Sequence, residues 1–208
     1  MRLSGRARDF LVTGAFLALV VGLVTVGWVS RDDGSEPDRF DALSRGGAGA
    51  GEMRGLEPGT LAPSLELPRI NGDTATLAAL RGLPVIVNIW ATWCPPCVRE
   101  MPSLQRVYDR FGHRGLEVLA VAVDDHPGER QPDGQVKGLV SRFVEEYGLT
   151  FPVALDPTGE TERRFGTEYL PTTILIDREG RVRVTEIGGR EWDEAPYLDM
   201  IEALMEEG

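Results

Sequence analysis

The sequence has few residues of the kinds that bind metals or nucleic acids. Among its 208 residues are two cysteines and two histidines, and its formal net charge is −11. This acidity argues against a basic face for nucleic acid and is expected mainly to favour solubility. His113 and His126 lack the spacing of metal ligands, so we predict no zinc site, which would need about four ligands. We find no internal repeat and no cofactor motif, and we predict that the protein uses no cofactor.

The two cysteines lie where an apolar run ends and a helical pattern begins. Cys94 and Cys97 follow the nearly continuous apolar residues 84–90 and open a helical pattern over residues 95–111. At a helix start, unpaired N–H groups and the positive end of the helix dipole would face the first sulfur. This environment favours the thiolate, which is the species that attacks a disulfide. Two prolines between the cysteines are compatible with a helix start. We therefore predict a redox-active dithiol.

Two other uses of this cysteine pair have weaker support. A purely structural disulfide across two residues closes almost no loop and would restrain the unfolded chain little. Covalent haem attachment would need a histidine directly after the second cysteine. The chain has Val98 at that place, so this motif does not carry haem.

The N-terminal region has the pattern of a membrane anchor. Three arginines, Arg2, Arg6 and Arg8, precede the apolar residues 10–29, which are long enough to cross a hydrocarbon core of about 30 Å. The positive flank places residues 1–9 in the cytoplasm and the rest of the chain outside. A cleaved signal peptide is the alternative, but the run is longer than usual and no small-x-small site follows it directly. We expect a retained single-pass anchor.

The remainder divides into a tether and one domain. Residues 30–56 are rich in Gly, Ser, Asp and Arg, which predicts a flexible linker. Residues 57–208 form the predicted domain. Asn71-Gly72 between short alternating segments indicates a hairpin, and residues 77–81 a helical turn. Buried or paired strands are predicted at residues 84–90, 116–123, 151–155, 172–176 and 182–187. Helices are predicted at residues 95–111 with a bend at Pro102, 136–147, 158–165 and 192–207, with a loop at 129–134.

This order of elements predicts an α/β domain in which helices cover both faces of a mixed central sheet. Trp90-x-x-x-Cys94-Pro-Pro-Cys97 after a buried strand, with Leu170-Pro171-Thr172-Thr173 before a later one, resembles the thioredoxin fold. The anchor, the leading hairpin and the extra helix at 136–147 make it more similar to the membrane-anchored TlpA/ResA/CcmG-like thiol–disulfide oxidoreductases. The resemblance covers about residues 57–205.

The resemblance implies roles for individual residues near the cysteines. Cys94 would be the attacking and more exposed cysteine, and Cys97 the buried, resolving one. Pro171 would match the family's cis-proline beside the active disulfide. The cis bond would let Leu170 offer main-chain groups to an incoming peptide.

Two further side chains near the dithiol have expected roles. Glu100 lies one helical turn beyond Cys97 and matches an acidic residue that the family keeps to relay protons or tune the cysteines. An ionised carboxylate there would raise the pKa of a neighbouring thiol, which opposes the effect of the helix start. The alternative for Glu100 is a solvated helix residue. Trp93 is expected to form an apolar rim beside Cys94, and with Pro95 and Leu170 to contact substrate. We interpret Trp90 as core.

The predicted function is therefore an extracytoplasmic thiol–disulfide oxidoreductase that reduces disulfides of exported proteins. By resemblance, its substrates would be the cysteine pairs of apocytochromes c or of copper sites, and a membrane thiol carrier would supply electrons. One alternative is a disulfide-forming oxidase with the same site. A peroxidase of the peroxiredoxin type would need Thr or Ser three residues before its cysteine, where this chain has Ala91. A tethered binding module is the last alternative.

Overall fold

The computed structural model describes residues 55–207. The predicted anchor at residues 10–29, the cytoplasmic segment and most of the linker lie outside this range. Within the described residues, none of the helices combines the length and apolar character needed to cross a membrane.

A five-stranded mixed sheet forms the centre of the described domain. In spatial order its strands are β7 (Val153–Leu155), β4 (Glu117–Ala122), β3 (Val85–Trp90), β8 (Thr172–Ile176) and β9 (Val182–Ile187). The first three strands run parallel, whereas β8 and β9 pair antiparallel. All residues of β3 are buried, as its continuous apolar run predicts for a strand covered on both faces. This confirms the predicted α/β architecture.

Four helices accompany the sheet. They are α1 (Pro95–Phe111), α2 (Leu139–Glu146), α3 (Glu160–Phe165) and α4 (Tyr197–Glu206). The apolar face of α1 packs into the core through Met101, Leu104 and Val107, each fully buried, and Pro102 lies within the helix. Short 3-10 helices occupy Leu77–Leu80 and Gly112–Arg114.

Two small hairpins lie beside the central sheet. Strands β1 (Glu66–Pro68) and β2 (Thr74–Thr76) pair antiparallel around the Asn71-Gly72 turn, where Gly72 has a positive φ of 96°. Strands β5 (Glu129–Arg130) and β6 (Val136–Lys137) form the second hairpin. The first two residues of the loop predicted at residues 129–134 belong to β5, and its other residues form the turn of this hairpin.

The predicted helix at residues 136–147 starts too early. Val136 belongs to β6, and its N–H donates to the carbonyl of Ile70 at 2.8 Å. A Cβ atom at Gly138 would lie 2.3 Å from Gly128 Cα, so the chain passes too close to its neighbour here for any larger residue. The helix begins after this crossing, at Leu139, because the hairpin fixes the preceding residues in extended conformation.

The predicted helix at residues 192–207 also starts too early. Trp192 donates its main-chain N–H to Ser103 Oγ at 3.0 Å, which fixes it against α1. Pro196 then lies at the N-cap of α4, which accordingly begins at Tyr197. A tertiary contact, invisible in helical periodicity, therefore decides where this helix starts.

Candidate active site

Cys94 and Cys97 form a disulfide at the N-terminus of α1. Their Cα atoms are 5.3 Å apart. Cys94 is the N-cap residue of the helix, and its Sγ accepts a hydrogen bond from the Cys97 N–H at 3.3 Å. The sulfur of Cys94 thus acts as the N-cap acceptor for a free N–H group of the helix. The N-terminal end of a helix stabilises a negative charge at this position. Cys94 is 4% exposed and Cys97 0%, so both sulfurs are buried in the oxidised form and Cys94 is slightly the more accessible.

A tight turn leads from β3 into Cys94. The Cys94 N–H donates to the Ala91 carbonyl at 3.2 Å, and the side chain of Trp93 within the turn is 66% exposed. Trp93, Leu139 and Phe143 line an open cavity of about 510 Å³. Trp93 is thus exposed next to Cys94, and the charged side chains of Arg142 and Glu146 of α2 line the same cavity.

Strand register places Pro171 near the same end of the sheet. Thr172 pairs with Ile89 of β3, so Pro171 lies beside Trp90 at the end from which the Cys94 turn departs. The Leu170–Pro171 peptide bond is cis, as predicted. Leu170 is half-buried and precedes the first residue of β8.

Glu100 lies in the core, one turn along α1 from Cys97. It is 1% exposed, so the alternative of a solvated helix residue is wrong. Its Oε1 accepts from Asn88 Nδ2 at 2.8 Å, and its Oε2 accepts from Trp192 Nε1 at 3.1 Å and from the Arg190 N–H at 3.2 Å. Burial raises its pKa from 4.5 to about 7, although these three hydrogen bonds act in the opposite direction.

The segment before α4 closes this site from one side. Ser103 Oγ donates to the Glu100 carbonyl at 2.7 Å and accepts from the Trp192 N–H. A Cβ atom at Gly189 would lie 2.8 Å from the Pro96 carbonyl oxygen, so this segment approaches the Cys-Pro-Pro-Cys backbone closely. Glu100 therefore connects the dithiol helix to a segment some ninety residues away in sequence.

Asn88 connects Glu100 to the strand that follows Pro171. It is 0% exposed, and its Nδ2 donates to Thr173 Oγ1 at 2.8 Å as well as to Glu100. The sequence pattern places Asn88 in the strand at residues 84–90 and indicates no role for Asn88, Thr173 or Trp192 in the site. An amide inside the apolar run 84–90 was a usable signal, because a buried polar group needs partners. Trp192 gave no such signal.

The site contains no arrangement suited to a metal ion. Within residues 55–207, no three His, Cys, Asp or Glu side chains come together as possible ligands. The chemistry available to these residues is thiol–disulfide exchange, with a carboxyl group that can exchange a proton near neutral pH.

Comparisons with known proteins agree with this chemistry. The sequence profile of the AhpC/TSA family matches residues 58–185. Thiol-disulfide oxidoreductase ResA of Geobacillus thermodenitrificans is 37% identical over 132 residues, which cover 64% of this chain and 70% of that protein. ResA of Bacillus thuringiensis subsp. konkukian is 36% identical over 139 residues, covering 67% of this chain and 74% of the relative.

A solved structure shows the same fold. A protein described as thiol:disulfide interchange protein DsbE, from Chlorobium tepidum, superposes with a TM-score of 0.64 at 30% identity. The match covers 72% of this chain and 99% of that one. The thioredoxin-like arrangement expected from the sequence is thereby confirmed.

Proposed function

The chain belongs to the ResA-like thiol–disulfide oxidoreductases, and from that premise we propose that it reduces disulfides of exported proteins outside the cytoplasm. The observation that carries the proposal is the placement of the Cys94–Cys97 pair at a helix N-terminus one turn from buried Glu100. The helix start favours a nucleophilic thiolate, and the carboxyl group can take up a proton at neutral pH.

The proposed reaction begins with the reduced dithiol. The Cys94 thiolate attacks one sulfur of the substrate disulfide, forms a mixed disulfide and releases the other sulfur as a thiolate, which takes up a proton. Cys97 then loses its proton and attacks Cys94 Sγ. This second step releases the substrate's remaining sulfur and leaves the Cys94–Cys97 disulfide. In all, the substrate gains two electrons from the dithiol, and its two released thiolates take up two protons from solvent.

Glu100 is the proposed acceptor of the Cys97 proton. Because burial raises the pKa of Glu100 to about 7, near neutral pH it is partly ionised and partly protonated. A general base works best with a pKa near the working pH. In this scheme Glu100 takes the proton as Cys97 attacks and passes it on when the enzyme is reduced again.

The proposed substrate contacts surround Cys94. Trp93 and Pro95 are exposed on either side of it, and Leu170 precedes the cis-proline at the same end of the sheet. A polypeptide could lay main-chain groups against Leu170 and an apolar side chain in the cavity between Trp93 and α2. Cysteine pairs of apocytochromes c or of copper sites are the proposed substrates.

The proposed location rests on the N-terminal sequence. Residues 10–29 would anchor the chain in the cytoplasmic membrane, with the catalytic domain outside. The dithiol is then far from cytoplasmic reductants, so we propose that a membrane thiol carrier returns it to the reduced state.

The deciding experiment is the equilibrium reduction potential of the pair in the full 208-residue chain in detergent, measured against glutathione buffers. A potential near that of thioredoxin, roughly −270 mV, supports the reductase. A potential near roughly −120 mV would make the protein an oxidase and overturn the proposal.

A trapping experiment tests the order of steps. Cys97→Ser should accumulate mixed disulfides with exported proteins, visible as larger species without reductant, whereas Cys94→Ser should form none. A binding module would retain its partners in the double serine variant. A peroxidase would be oxidised by hydrogen peroxide faster than by a disulfide peptide, which the presence of Ala91 leads us not to expect.

A further inference from the structure

A second buried carboxylate lies on the other side of the dithiol turn. Asp124 follows β4 and is 1% exposed. The preceding Val123 N–H donates to the Trp90 carbonyl at 2.9 Å, which continues the parallel ladder to the point where both strands end. The side chain of Asp124 is thereby directed to the turn that begins after Trp90.

One residue of that turn, Thr92, donates hydrogen bonds to both carboxylate oxygens of Asp124. The Thr92 N–H donates to Oδ2 at 3.1 Å and to Oδ1 at 3.3 Å, and Thr92 Oγ1 donates to Oδ1 at 2.5 Å. Thr92 is the second residue of the turn closed by the Cys94 N–H and the Ala91 carbonyl. The contact therefore fixes the turn that presents Cys94 and directs Trp93 outward.

The negative charge of Asp124 is balanced by these hydrogen bonds alone. Within residues 55–207, no arginine, lysine or histidine forms an ion pair with it. A negative charge beside a thiol disfavours the thiolate. Since the thiolate exists only in the reduced state, such a charge favours the disulfide and makes the pair a stronger reductant.

We propose that Asp124 is a positioning residue that fixes the Cys94 turn through Thr92 and lowers the reduction potential of the dithiol through its charge. The proposal depends on the proposed function only in that a Cys94–Cys97 exchange reaction takes place. It holds whichever protein is the physiological substrate.

The chain offers a matched control one strand away. Asp156 follows β7 as Asp124 follows β4, and it is 2% exposed. Its carboxylate likewise accepts from threonines, with Thr158 Oγ1 at 2.7 Å and the Thr161 N–H at 2.6 Å. Neither threonine belongs to the Cys94 turn.

The experiment compares the reduction potentials of four full-length variants with the wild type in detergent and glutathione buffers. Asp124→Asn keeps an acceptor for the Thr92 N–H and removes the charge. It should raise the equilibrium constant for reduction about tenfold, or about 30 mV. Thr92→Val removes one donor and keeps the charge, which is then less well compensated, so it should lower the potential. Thr92→Ser and Asp156→Asn should match the wild type.

A second measurement separates the effect of the Asp124 charge on Cys94 from an effect of a changed turn conformation. Alkylation of Cys94 by iodoacetamide as a function of pH should reach half its maximal rate at a lower pH in Asp124→Asn than in the wild type. A general loosening of the turn would instead change Asp124→Asn and Thr92→Val in the same direction, and that result would overturn the proposal. The proposal would also be overturned if Asp124→Asn had the same reduction potential and the same alkylation midpoint as the wild type.

Failure of the proposed function would look different. If the wild type reduces no disulfide peptide in any of the glutathione buffers, the proposed reductase function is wrong. The difference in reduction potential between the wild type and Asp124→Asn can still be measured in that case. Should Asp124→Asn fail to fold, the Thr92→Val and Thr92→Ser pair decides, because only the valine variant is then expected to depart from the wild type. A rise in potential in Thr92→Val would contradict the proposal.

Discussion

Two buried carboxyl groups, Glu100 and Asp156, have nearly the same exposure and opposite pKa shifts. Glu100 is 1% exposed and Asp156 is 2% exposed. Burial raises the pKa of Glu100 to about 7, because its hydrogen bonds compensate for only part of the lost hydration. Burial acts upward on Asp156 as well, but hydrogen bonds from Thr161 and Thr158 outweigh it and lower its pKa. Exposure alone therefore does not decide which carboxyl group can exchange protons at neutral pH.

Depth in the core and the source of the donors together explain the difference, because Glu100 lies deeper among protein atoms than Asp156. Asp156 is surrounded by donors within five residues, so a single loop supplies a local cap of the kind found at helix starts. Glu100 receives its donors from β3 and from the segment before α4, which approach through the core. The local arrangement keeps a carboxylate ionised and structural. The arrangement in the core leaves a carboxyl group whose proton is available.

The largest expected effect is on stability as a function of pH. The folded pKa of Glu100 lies above its ordinary value, so the folded chain holds a proton that the unfolded chain has lost. The stabilisation is complete below pH 4.5 and is lost as pH rises to about 7, a change of roughly 3 kcal/mol. Urea unfolding of the full chain at pH 5 and pH 8 should show this loss in the wild type.

Glu100→Gln provides the comparison. The glutamine has the same shape, and Asn88 Oδ1, which has no partner within the described residues, can accept from it after the Asn88 amide rotates. This variant should lose the part of the pH dependence that belongs to Glu100. An equal slope in both proteins would show that other carboxyl groups cause it. Asp156, with its lowered pKa, contributes in the opposite sense, with stability lost as pH falls below 3.8.

The second effect is on the resolving step. If Glu100 accepts the Cys97 proton, Glu100→Gln should slow release of substrate from the mixed disulfide about 100-fold, which is about 2.7 kcal/mol. Rapid-mixing measurements with a disulfide peptide should give a wild-type rate that rises with pH around a midpoint near 7, and no such midpoint in the variant. Asp156→Asn should keep the wild-type profile. A normal rate in Glu100→Gln would remove Glu100 from the mechanism.

The third effect tests the donors of Glu100. Trp192→Phe removes one N–H that favours the ionised form, so the pKa of Glu100 should rise further, by about one unit. Trp90→Phe is the control, because Trp90 is equally buried but its Nε1 has no hydrogen-bond partner in the described residues. The midpoint of the resolving step should move to higher pH only in Trp192→Phe. Equal shifts in both variants would indicate a general change in packing.

These residues also show how far the sequence could predict the site. Cys94, Cys97 and Glu100 are close in sequence, so helical spacing alone brings them together. The cis bond before Pro171 came from a resemblance and not from periodicity. Trp192 reaches Glu100 across 92 positions, and no local pattern encodes that contact. Helical periodicity instead predicts a helix that begins at Trp192, whereas the helix begins at Tyr197.

In the fold, too, local sequence patterns predicted some features, whereas contacts between distant residues set others. Apolar runs and hydrophobic periodicity predicted every strand of the central sheet. For β3, β4 and β7, whose residues are nearly all buried, a continuous apolar run is the direct signature of a strand covered on both faces. The starts of α2 and α4 were wrong because each is set by a contact with a distant part of the chain, at Gly138 and at Trp192. Periodicity describes which face of a helix is buried, and it carries little information about where tertiary contacts interrupt the helix.

The smallest expected effect concerns the local carboxylate. Asp156→Ala removes the acceptor for Thr158 and Thr161, so it should lower the free energy of unfolding by about 1 kcal/mol, as loss of a helix cap does. It should leave both the reduction potential and the midpoint of the resolving step unchanged, since Asp156 contacts neither the dithiol turn nor Glu100. Urea unfolding measures the change in the free energy of unfolding, and rapid-mixing kinetics on the same preparation measure the midpoint of the resolving step. A shifted midpoint in Asp156→Ala would mean that the two carboxyl groups are coupled through the sheet, and that a local cap and a proton-exchanging group are not separable in this fold.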